Sequence, residues 1–178
     1  RYNSKNANTW RLMYVAGVDA AGTETKITRR GEFECALKLD GRSDFSGGVV
    51  HGDEIDQKVT LLLNGIETNI ASAGGFYYDV KLIRNSKLYD PADNTTEIAE
   101  HGVEYHFTKN LIIKQSVKWL VAESLSSCYL AMYPVLKTYS GKLYDDMGFK
   151  VVTNPASHYS LLIPNAKSIT EFGNNYSS

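Results

Sequence analysis

The residues that are able to do chemistry are concentrated in one short stretch, Asp44 to Glu54. It contains three glycines, His51 and the adjacent carboxylates Asp53 and Glu54. His51 supplies an imidazole ring, and the carboxylates supply anionic oxygens that accept hydrogen bonds. The glycines permit tight turns and a close approach to the backbone. The stretch is therefore either a binding site or a glycine-rich hairpin whose acids only solvate the turn.

A site on this stretch has the chemistry that recognises a sugar. Its carboxylates accept hydrogen bonds from sugar hydroxyls, nearby arginines donate them, and an aromatic ring covers the apolar face of the sugar. The twelve tyrosines of the chain suit such ligands, and they equally suit ordinary strand packing. The expected ligand-binding residues are His51, Asp53, Glu54, Arg30 and Arg42.

Asp53, Glu54 and Asp56 form a group of hard oxygen ligands. Ca²⁺ accepts such carboxylates together with loop carbonyl groups, although the spacing is not that of an EF-hand. Acidic turns also occur without metal. We expect no cofactor, and calcium is the ion that these three residues would accept.

The elements that must position these residues are β-strands. Strict alternation of apolar and polar side chains over Glu32–Leu39, Phe76–Arg84 and Leu111–Val121 is typical of half-buried strands. Asn64-Gly65 predicts a tight hairpin. Further strand candidates are Trp10–Ala16, Lys58–Asn64, Ile66–Ile70, Val103–Thr108, Ser127–Leu136, Phe149–Thr153 and His158–Ile163. Helix is expected at most as one turn within Val121–Ser127. The fold class predicted is all-β: an antiparallel two-sheet β-sandwich of the jelly-roll type.

The length of 178 residues suits one domain, expected at residues 10–173 between a polar arm at 1–9 and a polar tail at 174–178. The formal net charge of -1 and the lack of basic runs argue against a nucleic-acid partner. No apolar run approaches the ~18 residues of a membrane span, so membrane insertion is not expected. Cys35 and Cys128 lie in strand-like runs, as two buried free thiols or as one disulfide.

The segments Thr28–Glu34 and Gly48–Gly52, followed by a leucine-rich strand, resemble the concanavalin-like jelly rolls. Among enzymes they resemble the alginate-lyase family, which carries Arg-x-Glu-x-Arg, Gln-(Ile/Val)-His and a late tyrosine motif. This resemblance implies a polysaccharide lyase acting by β-elimination, in which His51 or Tyr144 takes the proton and Arg30 steadies the uronate.

The match to that family is incomplete. Glu34 stands where the second arginine of the first motif belongs, and Val49 replaces the glutamine of the second motif. Proton abstraction beside a carboxylate needs its charge quenched, which is the role of that glutamine and an arginine in the family. The expected catalytic residues are therefore none, or His51, Tyr144 and Arg30 if the chain is a lyase.

The sequence Gly-Gly-x-x-His-Gly-Asp-Glu at residues 47–54, with a later tryptophan strand, resembles domains in tail and minor structural proteins of bacteriophages of Gram-positive bacteria. This resemblance implies an extracellular or virion-surface module that meets a cell-surface or cell-wall glycan. Weak affinity per module implies a homo-oligomer that acts through several copies. The function expected is a non-catalytic carbohydrate-recognition or structural module of a phage-tail-like receptor-binding assembly. The alternatives are a uronate lyase and a purely architectural domain.

Overall fold

The protein consists of β-strands joined by turns and loops, as described by a computed structural model. The structure describes residues 2–4, 7–28, 33–47, 51, 54–130, 140–145, 150–152 and 169–173. Within these ranges no residue is helical, which confirms the all-β prediction. The described part of the chain accordingly has no helix that could cross a bilayer.

The described ranges contain fourteen strands. They are β1 (Tyr2–Ser4), β2 (Ala7–Thr9), β3 (Ala16–Val18), β4 (Glu24–Lys26), β5 (Ala36–Leu39), β6 (Glu54–Leu63), β7 (Ile66–Thr68), β8 (Val80–Tyr89), β9 (Glu97–Phe107), β10 (Leu111–Trp119), β11 (Leu125–Tyr129), β12 (Ser140–Asp145), β13 (Lys150–Val152) and β14 (Ile169–Gly173).

The largest sheet has seven strands in the order β1-β2-β6-β8-β9-β10, and β7 also pairs with β6. Its pairings are antiparallel, except that β2 runs parallel to β6. The long ladder from β6 through β8 and β9 to β10 dominates this sheet, and β8 and β9 are its central strands.

Alternation along β9 defines two faces of this sheet, because successive side chains of a strand point in opposite directions. The buried set, on what we call the inner face, is Ala99, His101, Val103 and Tyr105. The opposite set, on what we call the outer face, is Glu100, Gly102, Glu104 and His106. Paired residues of neighbouring strands share a face, so the register assigns the other strands to the same two faces.

The Asn-Gly hairpin prediction is confirmed between β6 and β7. Asn64 and Gly65 have φ angles of 50° and 81°, and Leu63 pairs with Ile66 across the turn. Two consecutive positive φ angles are what a two-residue turn of the favoured hairpin type requires.

A two-stranded antiparallel sheet of β5 and β11 supplies further core residues. Alternate residues of the segment 35–39 are almost completely buried against side chains of β8 and β9. The cluster consists of Cys35, Leu37, Leu39, Leu88, Ile98 and Ala99. The predicted apolar face of this segment does pack, but Glu34 and Ala36 of the opposite face are also buried, so the prediction of a half-buried strand is wrong there.

The chain divides into two compact units, one of residues 1–12 and 32–132 and one of residues 13–31 and 133–178. The first unit contains the seven-stranded sheet and the β5–β11 sheet. The second contains the β3–β4 pair and the antiparallel sheet of β13, β12 and β14. The segment expected as a polar arm contributes β1 and β2 to the seven-stranded sheet, and its Thr9 is fully buried.

Some strand predictions are wrong. Residues 10–15 form no strand, because side chains replace a ladder: the Trp10 amide donates to Asp56 Oδ2 (2.6 Å) and the Val15 amide to Thr28 Oγ1 (2.8 Å). The helical turn expected within Val121–Ser127 does not form: residues 121–124 are irregular, and β11 begins at Leu125.

The strand expected at Ser127–Leu136 was predicted to be covered on both faces. Within its described part Cys128 and Tyr129 are exposed, so that prediction is wrong there. The rest of that segment and the strand expected at His158–Ile163 lie outside the described residues.

Candidate functional site

The fold divides the predicted site stretch between the surface and the interior. His51 is at the surface, with its Nδ1 2.7 Å from Asp44 Oδ1 and its ring centroid 5.0 Å from that of Phe45. Phe45 in turn lies 5.9 Å from the ring of Tyr129, which is 48% exposed. We call Asp44, Phe45, His51 and Tyr129 the His51 patch. It places an acid, an imidazole and an aromatic ring on one small surface.

Of the other predicted site residues, Glu54 and Arg42 bind partners outside this patch. Glu54 is only 1% exposed and points into the interior. Arg42 makes hydrogen bonds of 2.6 to 2.9 Å to the carboxylate of Asp90. Tyr144 belongs to β12, in the second unit. Arg30 and Asp53 lie outside the described residues.

Glu54 is the centre of a buried group of charges. Its Oε1 accepts hydrogen bonds from Arg84 Nη1 (2.7 Å), Ser86 Oγ (2.7 Å) and His101 Nδ1 (2.8 Å). Its Oε2 accepts from Arg11 Nη2 (2.7 Å). All five residues are buried, so these bonds form away from water.

Two further carboxylates extend this group. Asp56 Oδ1 accepts hydrogen bonds from Thr9 Oγ1 (2.8 Å) and Arg84 Nη1 (3.1 Å). Glu34 Oε2 lies 3.6 Å from Arg11 Nη1. We call the set the buried ionic network: Arg11, Glu34, Glu54, Asp56, Arg84 and His101.

The network holds its central carboxylate in the ionised form. Burial by itself raises the pKa of Glu54, but Arg84, the hydrogen bond from His101 and the charge of Arg11 outweigh burial and hold that pKa well below its usual value. Burial by itself lowers the pKa of Arg84. The negative charge of Glu54 has the larger opposite effect, so the pKa of Arg84 is raised above its usual value. Because the pKa of Glu54 is held low and that of Arg84 is raised, this pair is suited to structure rather than to acid–base chemistry.

The described residues do not include a group of three or more His, Cys, Asp or Glu side chains that could hold a metal ion. Of the three residues expected to bind calcium, Asp53 lies outside the described residues. Glu54 and Asp56 both direct carboxylate oxygens at the guanidinium of Arg84. A calcium site at this stretch stays a prediction from sequence.

Among residues 9–28, 33–47, 51 and 54–130, for which the structure describes side-chain exposure, the most exposed aromatic side chains lie in the segment Gly74–Tyr78, which we call the aromatic loop. Phe76 is 105% exposed and Tyr78 is 80% exposed. Tyr77 between them donates a hydrogen bond from its hydroxyl to the Gly74 carbonyl oxygen (2.6 Å). Tyr77 thus ties the loop to itself, while its two neighbours remain in solvent.

Polar groups border the aromatic loop at Asp79. The Asp79 amide donates to Asn64 Oδ1 (3.2 Å), and its carbonyl oxygen accepts from the Asn64 amide (2.8 Å). Its carboxylate Oδ1 lies 3.1 Å from Nε2 of His106, an outer-face residue, and both side chains are partly exposed. The aromatic loop is therefore followed directly by hydrogen-bonding groups at one end of the outer face.

The outer face also carries a trough centred on Gly102. Gly102 pairs with Asn85 on β8 and with Ser116 on β10. A Cβ at Gly102 would lie 2.8 Å from Ser116 Oγ and 3.4 Å from Asn85 Oδ1, so glycine is what allows these two polar side chains to lie over the strand. The cavity has a volume of about 490 Å³, and its other outer-face borders are Gln57, Lys87, Glu100 and Lys118.

Sequence reasoning missed the aromatic loop, the trough and the network, although each left a signal. Three consecutive aromatic residues cannot all face one core, and Gly74-Gly75 before them indicates a loop. Gly102 inside an otherwise regular strand indicates a close approach. Arg84 falls on the predicted core face of the alternating segment Phe76–Arg84. A charged side chain at such a position needs a buried partner.

No protein-family model, curated protein or solved structure matches the chain. The functional argument therefore depends on the geometry of the chain itself.

Proposed function

We propose that the chain is a non-catalytic carbohydrate-recognition module that contacts a saccharide through the aromatic loop. The observation that carries this proposal is the exposure of Phe76 and Tyr78. Burying a large apolar side chain contributes about 1.5–3 kcal/mol to folding stability. These two rings are exposed and therefore do not make that contribution. Exposed aromatic residues grouped on one loop are typical of a contact surface.

The surroundings of the loop favour a sugar as the ligand. An aromatic face covers the apolar side of a sugar ring, and polar groups beside it fix the hydroxyls. Asp79 accepts hydrogen bonds, His106 donates or accepts them, and the two side chains are partly exposed beside the loop. A ligand with one apolar and one hydroxyl-bearing side fits this combination.

A non-catalytic role is supported by the buried ionic network. Glu54, Arg84 and His101 are the residue types that acid–base catalysis uses, and here they bind one another at 1–3% exposure. A substrate has no access to groups buried in this way.

The same proposal extends to architecture and setting. The packing of β5 against β8 and β9 is consistent with a two-sheet sandwich of the jelly-roll, concanavalin-like type. The setting proposed is a phage-tail-like receptor-binding assembly, extracellular or on the virion surface, in which homo-oligomers meet a cell-wall glycan. The sequence resemblance supports this setting, and repeated modules would compensate for weak affinity in each copy.

A glycan panel tests the proposal with matched aromatic variants. We expect the wild-type protein to bind, and Phe76→Ala/Tyr78→Ala to lose binding without losing the fold, because both side chains are outside the core. Tyr129→Ala is the control, since it removes an exposed ring from the His51 patch instead. Loss of binding in Tyr129→Ala with retention in the loop variant would place the site at the His51 patch and contradict the aromatic-loop proposal.

A uronate lyase is the second candidate, and one observation favours it. His51 has its Nδ1 2.7 Å from Asp44 Oδ1, and a carboxylate that orients an imidazole in this way is what a general base requires. The test is the ultraviolet absorbance of unsaturated uronate formed from uronate polymers. Absorbance that grows with wild-type protein and vanishes with His51→Ala would establish a lyase. Neither binding nor turnover on any glycan would leave an architectural domain.

A further inference from the structure

Asp79, which directly follows the aromatic loop, and the trough both border the outer face of β9. His106, which contacts Asp79 at the end of the loop, and Gly102, the floor of the trough, are both outer-face residues of β9. Four residues of strand separate them, which corresponds to roughly 13 Å. Charged side chains lie between them: Glu104 Oε1 is 3.3 Å from Lys114 Nζ and 3.8 Å from Lys81 Nζ.

The groups in the trough are suited to hydroxyls and not to a charged ligand. Asn85 and Gln57 present amides, and Ser116 presents a hydroxyl, so both donors and acceptors are available. The two lysines at its border already face carboxylates: Lys118 Nζ is 3.1 Å from Glu100 Oε2, and Lys87 Nζ is 2.6 Å from Glu97 Oε1. The lysine charges are thus balanced by neighbouring carboxylates.

We propose that the trough is a second saccharide subsite, occupied by the same sugar chain that stacks on the aromatic loop. The ligand is then an uncharged linear oligosaccharide that runs along the outer face, because a single sugar ring does not bridge the two places. Gly102 serves the site by allowing the side chains of Asn85 and Ser116 to lie over it, and all three residues line the trough. This inference rests on the proposed function.

The first experiment is an NMR titration of the ¹⁵N-labelled full chain with glucose and N-acetylglucosamine, each from the monosaccharide to the hexasaccharide, and with uronate oligosaccharides of the same lengths. We expect the monosaccharides to shift only the amide signals of the aromatic loop, whereas the longer uncharged sugars also shift Gly102 and bind more tightly. Equal affinity for all lengths, or longer uronates binding best, would overturn the inference.

Variants separate this inference from the proposed function. Asn85→Ala/Gln57→Ala removes two exposed amides, and we expect affinity for the hexasaccharide to fall about fivefold or more while the monosaccharide response is unchanged. Thr25→Ala, at an exposed position of β4, is the control for an ordinary strand-surface change. Loop signals that respond while Gly102 stays silent would refute the trough alone. Silence at the loop as well would refute the proposed function too.

Discussion

At the scale of single residues, Glu54 should carry an unusually large share of stability. Its carboxylate is the common partner of Arg84, Arg11 and His101, none of which has access to water. Removing one member of a buried ionic group leaves the buried charges of the others without a partner, which destabilises the fold by about 3–5 kcal/mol. We therefore expect Glu54→Gln to lower the free energy of unfolding by that amount in urea titrations.

The matched control is Glu97→Gln. Glu97 binds Lys87 at 2.6 Å, but its side chain is 39% exposed, and such surface pairs contribute up to about 1 kcal/mol. Similar losses in the two variants would show that burial does not set the strength of these interactions.

The same carboxylate predicts how stability depends on pH. Because the folded-state pKa of Glu54 is held well below the usual 4.5, its contribution is complete above that pH and is lost as the pH falls toward the folded-state pKa. Unfolding free energy should therefore drop below about pH 4.5, and less steeply in Glu54→Gln. Urea midpoints measured at a series of pH values check this. Parallel curves for the two proteins would rule out Glu54 as the titrating group.

The two cysteines should differ in reactivity. Both thiols are free, Cys128 is exposed, and Cys35 is 1% exposed with its pKa raised by burial to about 12. We expect a thiol reagent at pH 8 to modify one thiol in the folded protein and both in urea. Cys128→Ser should abolish the native reaction. Rapid reaction of Cys35 in that variant would mean that β5 opens readily.

At the scale of elements, Gly47 is the point where the glycine-rich stretch meets β5. It has φ of 74°, and a Cβ there would collide with the carbonyl oxygen of Cys35. Gly22 has φ of 82° with open space around it. Gly22→Ala should therefore lower the free energy of unfolding by about 1 kcal/mol, because only the backbone conformation is strained. Gly47→Ala should lower it clearly more, because the collision adds to that strain. Thermal unfolding measures both, and equal losses would exclude a steric role for Gly47.

Sequence predicted best those strands in which a single alternating pattern of apolar and polar residues decides which side chains are buried. β10 alternates between half-buried and exposed residues from Leu111 to Lys118, because one face is more solvated than the other, but Trp119, expected on the buried face, is 39% exposed. The stretch Trp10–Ala16 was misread, since Asp56 and Thr28 bind its backbone amides and no sequence pattern announces partners so distant along the chain.

The candidate site was harder to predict than the fold, for a physical reason. Residues of reactive type were grouped by their closeness in sequence, and β6 carries Glu54 into the interior while His51 remains at the surface. The groups that stay exposed together, such as Asp79 and His106, are 27 residues apart and meet only through the register of β8 and β9. Short-range spacing cannot reveal such a pair.

At the scale of the whole molecule, stability should be distributed unevenly along the chain. β8 and β9 are each paired on both sides and carry most of the buried residues of the large sheet, whereas the six residues of β3 and β4 are half-buried or exposed. Amides open through local or global unfolding, so burial and two-sided pairing slow their exchange. Hydrogen–deuterium exchange should be slowest in β8 and β9, intermediate in β10 and fastest in β3 and β4. Exchange in β3 and β4 as slow as in β9 would show instead that the two compact units unfold as one cooperative structure.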